Sequence, residues 1–200
     1  MIKNIIFDFG DIFINLDKPA VYQHLEKFGF TSVSPELDIL AKNYEMGLIS
    51  SADFVLALQK MFPSAEKDEI IKAWNSILLD FPISRLKFIE QLAEEKKYRL
   101  FLLSNTNELH IEYVNDTMGT ANFNRFRACF EQFYLSYEIN LRKPNTDIYQ
   151  YVLSKNELLA EETLFIDDMP ENTQAAESLG IKTWNLQVGK EDVVQLASKL

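Results

Sequence analysis

Cysteine is nearly missing from this chain. Cys129 stands alone among 200 residues, so no intrachain disulfide can form and stability must come from a packed core. As a nucleophile, Cys129 would need a neighbouring base and surroundings that lower its pKa. The only histidines, His24 and His110, show no catalytic spacing, and Cys129 is expected to be a structural side chain. Positive charge is scarce as well. Lys and Arg number 20 against 30 Asp and Glu, a formal charge of −10. That balance disfavours general binding to nucleic acid or to an anionic membrane surface, each of which needs a basic face.

Long apolar runs are absent too. No stretch approaches the roughly 20 apolar residues of a membrane-spanning helix. The N-terminus runs directly into a strand pattern without a signal peptide, so a cytoplasmic location is expected. No internal repeat or low-complexity linker interrupts the chain. What remains is core-forming material, 47% hydrophobic with 25% charged residues, which excludes a disordered chain. The length suits one domain, or one domain carrying an insertion.

Residues 2–7 (IKNIIF), rich in β-branched and aromatic side chains, read as a first strand. Four helical patterns follow. In KPAVYQHLEKFG, Val21, Leu25 and Phe28 keep helical spacing and Gly29 suits a C-terminal cap. SPELDILAKNYEMG offers Ser34 as N-cap, Pro35 at the first helical position and Gly47 beyond the end. SSADFVLALQKMF repeats the pattern with Phe54, Leu58 and Met61. SAEKDEIIKAWNSILL does so with Ile70, Ile71, Trp74 and Leu78.

From residue 83 the texture changes to alternating helix and strand. A helix over ISRLKFIEQLAEEKKY feeds the strand RLFLLS, and a helix begins at NTNELH. The strand QFYLS, the helix TDIYQYVLSKN, the strand TLFIDD, the helix ENTQAAESLG and the strand KTWNL complete the chain. This alternation predicts an α/β fold, a doubly wound parallel sheet with helices on both faces. The expected domains are an α/β core over 1–16 and 84–200 and a helical unit over 17–83, inserted after the first strand.

The polar residues that end the buried strands carry the chemistry. The first strand ends at Asp8 and the second at Ser104 and Asn105. The third is followed by Arg142 and Lys143, and the fourth ends at Asp167 and Asp168. In an open parallel sheet, ligands bind outside the carboxyl ends of the strands, so these side chains are expected to converge. Arg142 is expected to be a solvated neighbour of Lys143.

In these four segments, FDFGDIFI, LLSNTN, RKP and FIDDMPEN, the chain resembles the haloacid dehalogenase-like hydrolase superfamily. The similarity spans the whole chain, the helical insert matching that superfamily's small cap. The wording LSNTNELH…YLSYEINLRKPNTDIYQYVL…LFIDDMPENTQAAESLGI is similar to its sugar-phosphate phosphatase branch. That branch is bacterial and typified by the α-D-glucose-1-phosphate phosphatases, and the same wording is also similar to the N-terminal phosphatase domain of soluble epoxide hydrolases. The resemblance implies a Rossmann-like core and a Mg²⁺-dependent phosphatase acting on a small phosphorylated metabolite.

The residue chemistry agrees with that implication. A carboxylate such as Asp8 can attack phosphorus and form an aspartyl-phosphate, splitting one hard displacement into two. Ser104 offers a hydroxyl, and with Asn105 it opens a helix start suited to an anion. Lys143 can neutralise charge developing on the phosphoryl oxygens. Adjacent Asp167 and Asp168 are costly to bury unless a cation is bound, and Mg²⁺ favours such oxygen ligands. By the resemblance, Asp8, the Gly10 carbonyl and Asp168 hold the metal. Asp167 would bind it directly or through one water, and Asn172 would support the pair.

Gly10 departs from the family pattern, which places an acid there to protonate the leaving oxygen. The metal-binding carbonyl survives the change, but general acid–base help worth roughly 10²–10⁴-fold does not. Substrates with good leaving groups, such as a sugar 1-phosphate, fit that loss. Asp11 stands one residue too late and is expected to serve a turn or the surface. Two other readings stay open: a metal-independent dehalogenase-type hydrolase, for which Gly10 is no handicap, and a non-catalytic ligand-binding protein. Within the insert, Tyr44, Met46, Phe54 and Trp74 are candidates either to face the substrate or to form the insert's core.

Overall fold

Short strands with apolar side chains pointing both ways must be covered on both faces, and the computed structural model, which describes residues 1–200, shows how this is done. Strands β1 (Asn4–Phe7), β2 (Arg99–Ser104), β3 (Gln132–Leu135), β4 (Thr163–Asp167) and β5 (Lys182–Asn185) form one sheet. Its order is β3-β2-β1-β4-β5 and every pairing is parallel. The expected doubly wound α/β architecture is therefore present.

Between β1 and β2 lie α1 (Ala20–Glu26), α2 (Pro35–Glu45), α3 (Ser51–Met61), α4 (Lys67–Asn75) and α5 (Ile83–Glu94). After β2 come α6 (Glu108–Met118) and α7 (Thr120–Arg127). The short α8 (Ser136–Ile139) and α9 (Thr146–Lys155) follow β3, and α10 (Pro170–Glu177) follows β4. No helix is long and apolar enough to cross a membrane.

Side chains alternate between the two faces of the sheet, as the two-residue strand period requires. Ile5, Phe7, Leu100, Leu102, Leu164 and Ile166 pack with Leu86 and Ile89 of α5 and Phe126 of α7. Ile6, Phe101, Leu103 and Phe165 pack with Ile148 and Val152 of α9 and Ala176 of α10. Helices α1 to α4 bury a separate core that includes Val21, Tyr44, Phe54, Leu58 and Ile70. Ser34 caps α2 by accepting from the Leu37 amide at 3.2 Å, as its position before Pro35 predicts.

Several segments differ from the sequence expectation, among them α8, which starts at Ser136 where the strand QFYLS is expected to end. The pattern after β2 predicts only a helix start, whereas two helices occur there, divided at Gly119 with φ 80°. The fourth helical pattern includes Leu78, yet α4 stops at Asn75. Beyond it the chain pairs with the segment that leaves β1. Asp17 N donates to Ile77 O at 2.8 Å and Leu79 N to Asn15 O at 2.9 Å. An antiparallel bridge joins Leu16 to Leu78. Cross-strand bonds between the two connections thus override helical periodicity, and both chain crossings run side by side.

Phe126 sits at the centre of an aromatic cluster, fully buried. Its ring centroid lies 4.9 Å from Phe13, 5.0 Å from Phe130 and 5.1 Å from Phe81. Phe126→Ala is expected to cost about 3–5 kcal/mol by urea denaturation, the range for a deleted core aromatic. A loss below about 1 kcal/mol would show that the cluster collapses freely around the gap.

Candidate functional site

The strand order sets β2, β1 and β4 next to one another, so their carboxyl ends deliver Ser104, Asp8 and Asp167 to a common crevice. Lys143 arrives on the turn after α8. Its ammonium is 1% exposed and donates to Asp8 Oδ1 at 2.7 Å and to Asp167 Oδ2 at 2.6 Å. Asn105 fixes the lysine backbone from both sides. Its Oδ1 accepts from Lys143 N at 2.9 Å, and its Nδ2 donates to Lys143 O at 2.9 Å. The Asn105 side chain is therefore committed to Lys143. Ser104, also buried, has only a long 3.4 Å contact from its hydroxyl to Asn105 O.

The adjacent acids have different surroundings. Asp167 is fully buried, and both its oxygens are saturated. Oδ1 accepts from Met169 N at 2.8 Å and from Asn172 Nδ2 at 3.0 Å, while Oδ2 accepts from Lys143 and, at 3.0 Å, from Asn172. Asp168 turns into the crevice, where its Oδ2 accepts from Lys18 Nζ at 2.6 Å. One oxygen each from Asp8, Asp167 and Asp168 lie within 4.8 Å of one another.

This crowding leaves negative charge under-compensated. Burial pushes the Asp8 carboxyl up to about 7. Lys143 opposes the shift, but the charges of Asp167 and Asp168 reinforce it. Asp168 is also raised, because burial outweighs the help of Lys18. Burial works against the Lys143 ammonium, yet Asp167 and then Asp8 outweigh it and hold its pKa above the usual value. A cluster of carboxylates whose charged forms are disfavoured by burial suits a hard divalent cation. Asp8 and Asp168 could ligate it directly, and Gly10 lines the same crevice. The saturated oxygens of Asp167 favour contact through water.

Gly10 is not in the left-handed region, which leaves space as the constraint. A Cβ added there would stand 2.8 Å from Leu16 Cδ1. Asp11 adopts φ 55° and is buried. Its Oδ1 accepts from Leu16 N at 3.1 Å, and its Oδ2 pairs with Lys18 at 3.0 Å. It closes the turn that follows Asp8 and does not line the crevice.

The crevice has a volume of about 240 Å³ and includes Asp8, Gly10, Ser104, Asn105, Lys143 and Asp168. It also includes Lys18, Glu45 and His110, which sequence spacing does not single out. His110 looks like a proton carrier but is not built as one. Asn107 Oδ1 accepts from His110 N and from Trp74 Nε1, so Asn107 Nδ2 donates to His110 Nδ1 at 3.1 Å. His110 Nε2 must then carry the hydrogen, which it donates to Trp74 O at 3.2 Å. Burial pulls its pKa down to about 4, so the ring is neutral and fully engaged.

Arg142 departs from expectation. It is not a solvated neighbour of Lys143: its NH2 donates to Glu45 Oε2 at 3.0 Å, with side-chain exposures of 21% and 26%. The reason is that α2 ends directly over this turn. Among the aromatic candidates of the insert, Tyr44 and Phe54 are buried in its core, stacked at 4.1 Å. Trp74 reaches the site region through Asn107. Burial raises the Cys129 thiol to about 11, which disfavours the thiolate that a nucleophile needs. A larger cavity of about 660 Å³, lined by Phe88, Tyr98 and Leu196, lies against Met1–Lys3 at the opposite end of β1. No carboxylate cluster accompanies it.

Comparison with known proteins places this geometry among relatives. Residues 5–186 match the family described as haloacid dehalogenase-like hydrolase. The chain is 26% identical over 197 residues to D-ribitol-5-phosphate phosphatase of Bacteroides thetaiotaomicron, covering 96% of this chain and 95% of that one. A solved enzyme of the same family from B. thetaiotaomicron, in complex with magnesium and inorganic phosphate, matches with a TM-score of 0.83 at 34% identity. That match covers 96% of this chain and 97% of the other. A family hydrolase from Porphyromonas gingivalis matches with a TM-score of 0.83 at 30% identity, over 100% of this chain and 97% of that one.

The Asp8 shift generates a measurable pH dependence. Its ordinary value is 3.8 and its value in the metal-free fold is about 7, so the folded state binds the extra proton between those limits. The associated stability is present below the lower value and lost as pH rises through the upper one. The metal-free protein is expected to melt at a lower temperature at about pH 8 than at about pH 5. Asp8→Asn should flatten this decline, and Mg²⁺ should raise the wild-type melting temperature most at the alkaline end. A slope unchanged by Asp8→Asn would place the proton on another group.

Proposed function

The chain belongs to the haloacid dehalogenase-like hydrolase family, and from that premise we propose that it is a Mg²⁺-dependent phosphatase of small phosphorylated metabolites, with Asp8 as the nucleophile. The observation that carries this reading is the Lys143 ammonium held by Asp8 and Asp167 beside Asp168, in a crevice at the strand tips. The relative that acts on D-ribitol 5-phosphate supports a polyol or sugar phosphate as the substrate class. The solved relative with magnesium and phosphate supports the cation.

Each residue has a task in this chemistry. Lys143 engages Oδ1 of Asp8, which leaves the other carboxylate oxygen to attack phosphorus and form the aspartyl-phosphate. Lys143 then faces the phosphoryl oxygens as their charge develops, and the Ser104 hydroxyl donates to them. Asp167 and Asn105 keep the lysine in place. Mg²⁺, held by Asp8, Asp168 and the Gly10 carbonyl, would neutralise phosphoryl charge as a Lewis acid. The ester oxygen leaves as the Asp8 O–P bond forms. Water attack on phosphorus then breaks that bond, and the water's proton goes to the released phosphate or to solvent as the Asp8 carboxylate is regenerated. Neither Gly10 nor the engaged His110 offers a proton to the departing oxygen, so an alkyl ester would rely on the cations of the site to stabilise that oxygen as it leaves.

Two measurements test this reading. Hydrolysis of p-nitrophenyl phosphate is expected with Mg²⁺ and not with EDTA, and Asp8→Asn should abolish it while the protein stays folded. Equal turnover in EDTA would sink the phosphatase reading and favour dehalogenase-type attack at carbon. The second test concerns Gly10. Because an added Cβ would meet the tip of Leu16, Gly10→Asp should be made with and without Leu16→Ala. If only the proton donor is missing, the double variant should raise kcat/KM for an alkyl phosphate more than for p-nitrophenyl phosphate. A uniform fall on both would show that a missing proton donor is not what limits the site.

A further inference from the structure

We propose that Glu45 and Arg142 together select a polyhydroxylated leaving group, binding its hydroxyls between a carboxylate and a guanidinium in the chamber that adjoins the site. The inference rests on the phosphatase reading and names the substrate class for that site.

A second cavity of about 230 Å³ lies between the helical insert and the sheet domain. Its apolar wall includes Val21, Leu25, Leu37 and Trp74. It shares Lys18, Glu45, Ile77 and His110 with the crevice that holds Asp8 and Lys143. A group attached to the phosphate therefore has a ready-made chamber to enter, and it passes these four residues on the way.

Most polar atoms along that passage are already committed. Lys18 is shared by Asp11 and Asp168, and both His110 nitrogens are bonded. The Glu45–Arg142 pair is different. Only Glu45 Oε2 and Arg142 NH2 are joined, by a single bond of 3.0 Å. Arg142 Nε is buried without a partner. Burial raises the Glu45 carboxyl, and Arg142 only partly offsets that cost. A desolvated carboxylate with one ligated oxygen, beside a guanidinium with unused donors, is complementary to neighbouring hydroxyls, which both donate and accept. An alkyl or aryl group cannot make these bonds and would leave the pair unsatisfied.

The pair is also positioned by backbone contacts. Ser136 Oγ donates to Glu45 O at 2.5 Å, and Asn140 Nδ2 donates to Met46 O at 2.7 Å. Gly47, at φ 65°, packs so closely on Tyr137 that a Cβ would fall 2.0 Å from its carbonyl oxygen. The end of α2 is thus seated on α8 and its C-cap, just before the turn that carries Arg142 and Lys143. Recognition of the leaving group is set one residue away from the ammonium that faces the phosphoryl group.

The test compares three Mg²⁺-dependent substrates: a pentitol 5-phosphate, pentyl phosphate of equal chain length without the hydroxyls, and p-nitrophenyl phosphate. Wild type is expected to prefer the pentitol ester over pentyl phosphate by at least about tenfold in kcat/KM. Glu45→Gln and Arg142→Met should each shrink that ratio at least about tenfold, with thermal melts confirming a folded protein. Arg142→Lys keeps the charge but not the planar fork and should also shrink it. A wild-type enzyme without the preference overturns the inference with no variant needed. So does an equal loss on all three substrates in the variants, which would make the pair a structural clasp. Absence of turnover on every ester would sink the phosphatase reading itself, whereas turnover without selectivity sinks only this inference.

Discussion

The Lys143 ammonium is the interaction on which the site depends. A buried cation is tolerated only when opposite charge meets it at close range, and here Asp8 and Asp167 do so from two adjacent strands. That single bridge ties the turn after α8 to the tips of β1 and β4. It also assigns the two neighbouring acids of β4 to different work. Asp167 is consumed by Lys143, Asn172 and the Met169 amide. Asp168, one residue on, is left to face the crevice. Burial raises the pKa of Asp8, and the neighbouring charges of Asp167 and Asp168 add to the shift that Lys143 opposes. The same cost that disfavours the metal-free site favours a divalent cation within it.

Around that bridge, the helical insert behaves as a cover whose seat is built into the sheet domain. Its two chain connections pair with each other through Asn15–Asp17 and Ile77–Asp80, which fixes where the insert can stand. Its far side rests on the turn after β3 through Ser136 and Asn140. Contacts from Tyr44 to the Leu109 amide, and from Trp74 to Asn107, add a third support at the start of α6. Polar contacts thus outline a chamber that apolar residues of the insert fill only partly. The chamber opens onto the Asp8 crevice through Lys18, Glu45, Ile77 and His110.

Glycine at position 10 is physically coherent within this frame. Leu16 occupies the space that a side chain at position 10 would need. The turn is instead closed by Asp11, which accepts from the Leu16 amide and pairs with Lys18. The crevice beside this turn is lined by two cations, Lys18 and Lys143, and by no side chain at position 10.

Much of this was legible in the chain alone. Alternating apolar segments of strand and helix length predict the doubly wound sheet, because the two-residue and 3.6-residue periods record which faces are buried. The polar residues at the strand ends, Asp8, Ser104, Lys143, Asp167 and Asp168, mark the crevice, because the carboxyl edge of a parallel sheet is where such side chains converge. Other features depended on partners distant in sequence. Arg142 reads as a solvated residue until Glu45, 97 positions earlier, is seen bonded to it. His110 has no spacing signal, and only its bonds to Asn107 and Trp74 show that it is neutral and occupied. Leu78 keeps helical periodicity, yet a bridge to Leu16 takes it out of the helix. Local periodicity thus determined the elements and the site's address. Only the tertiary structure decided which polar atoms are spent and which remain free for chemistry, because hydrogen-bond satisfaction is set by neighbours in space and not in sequence.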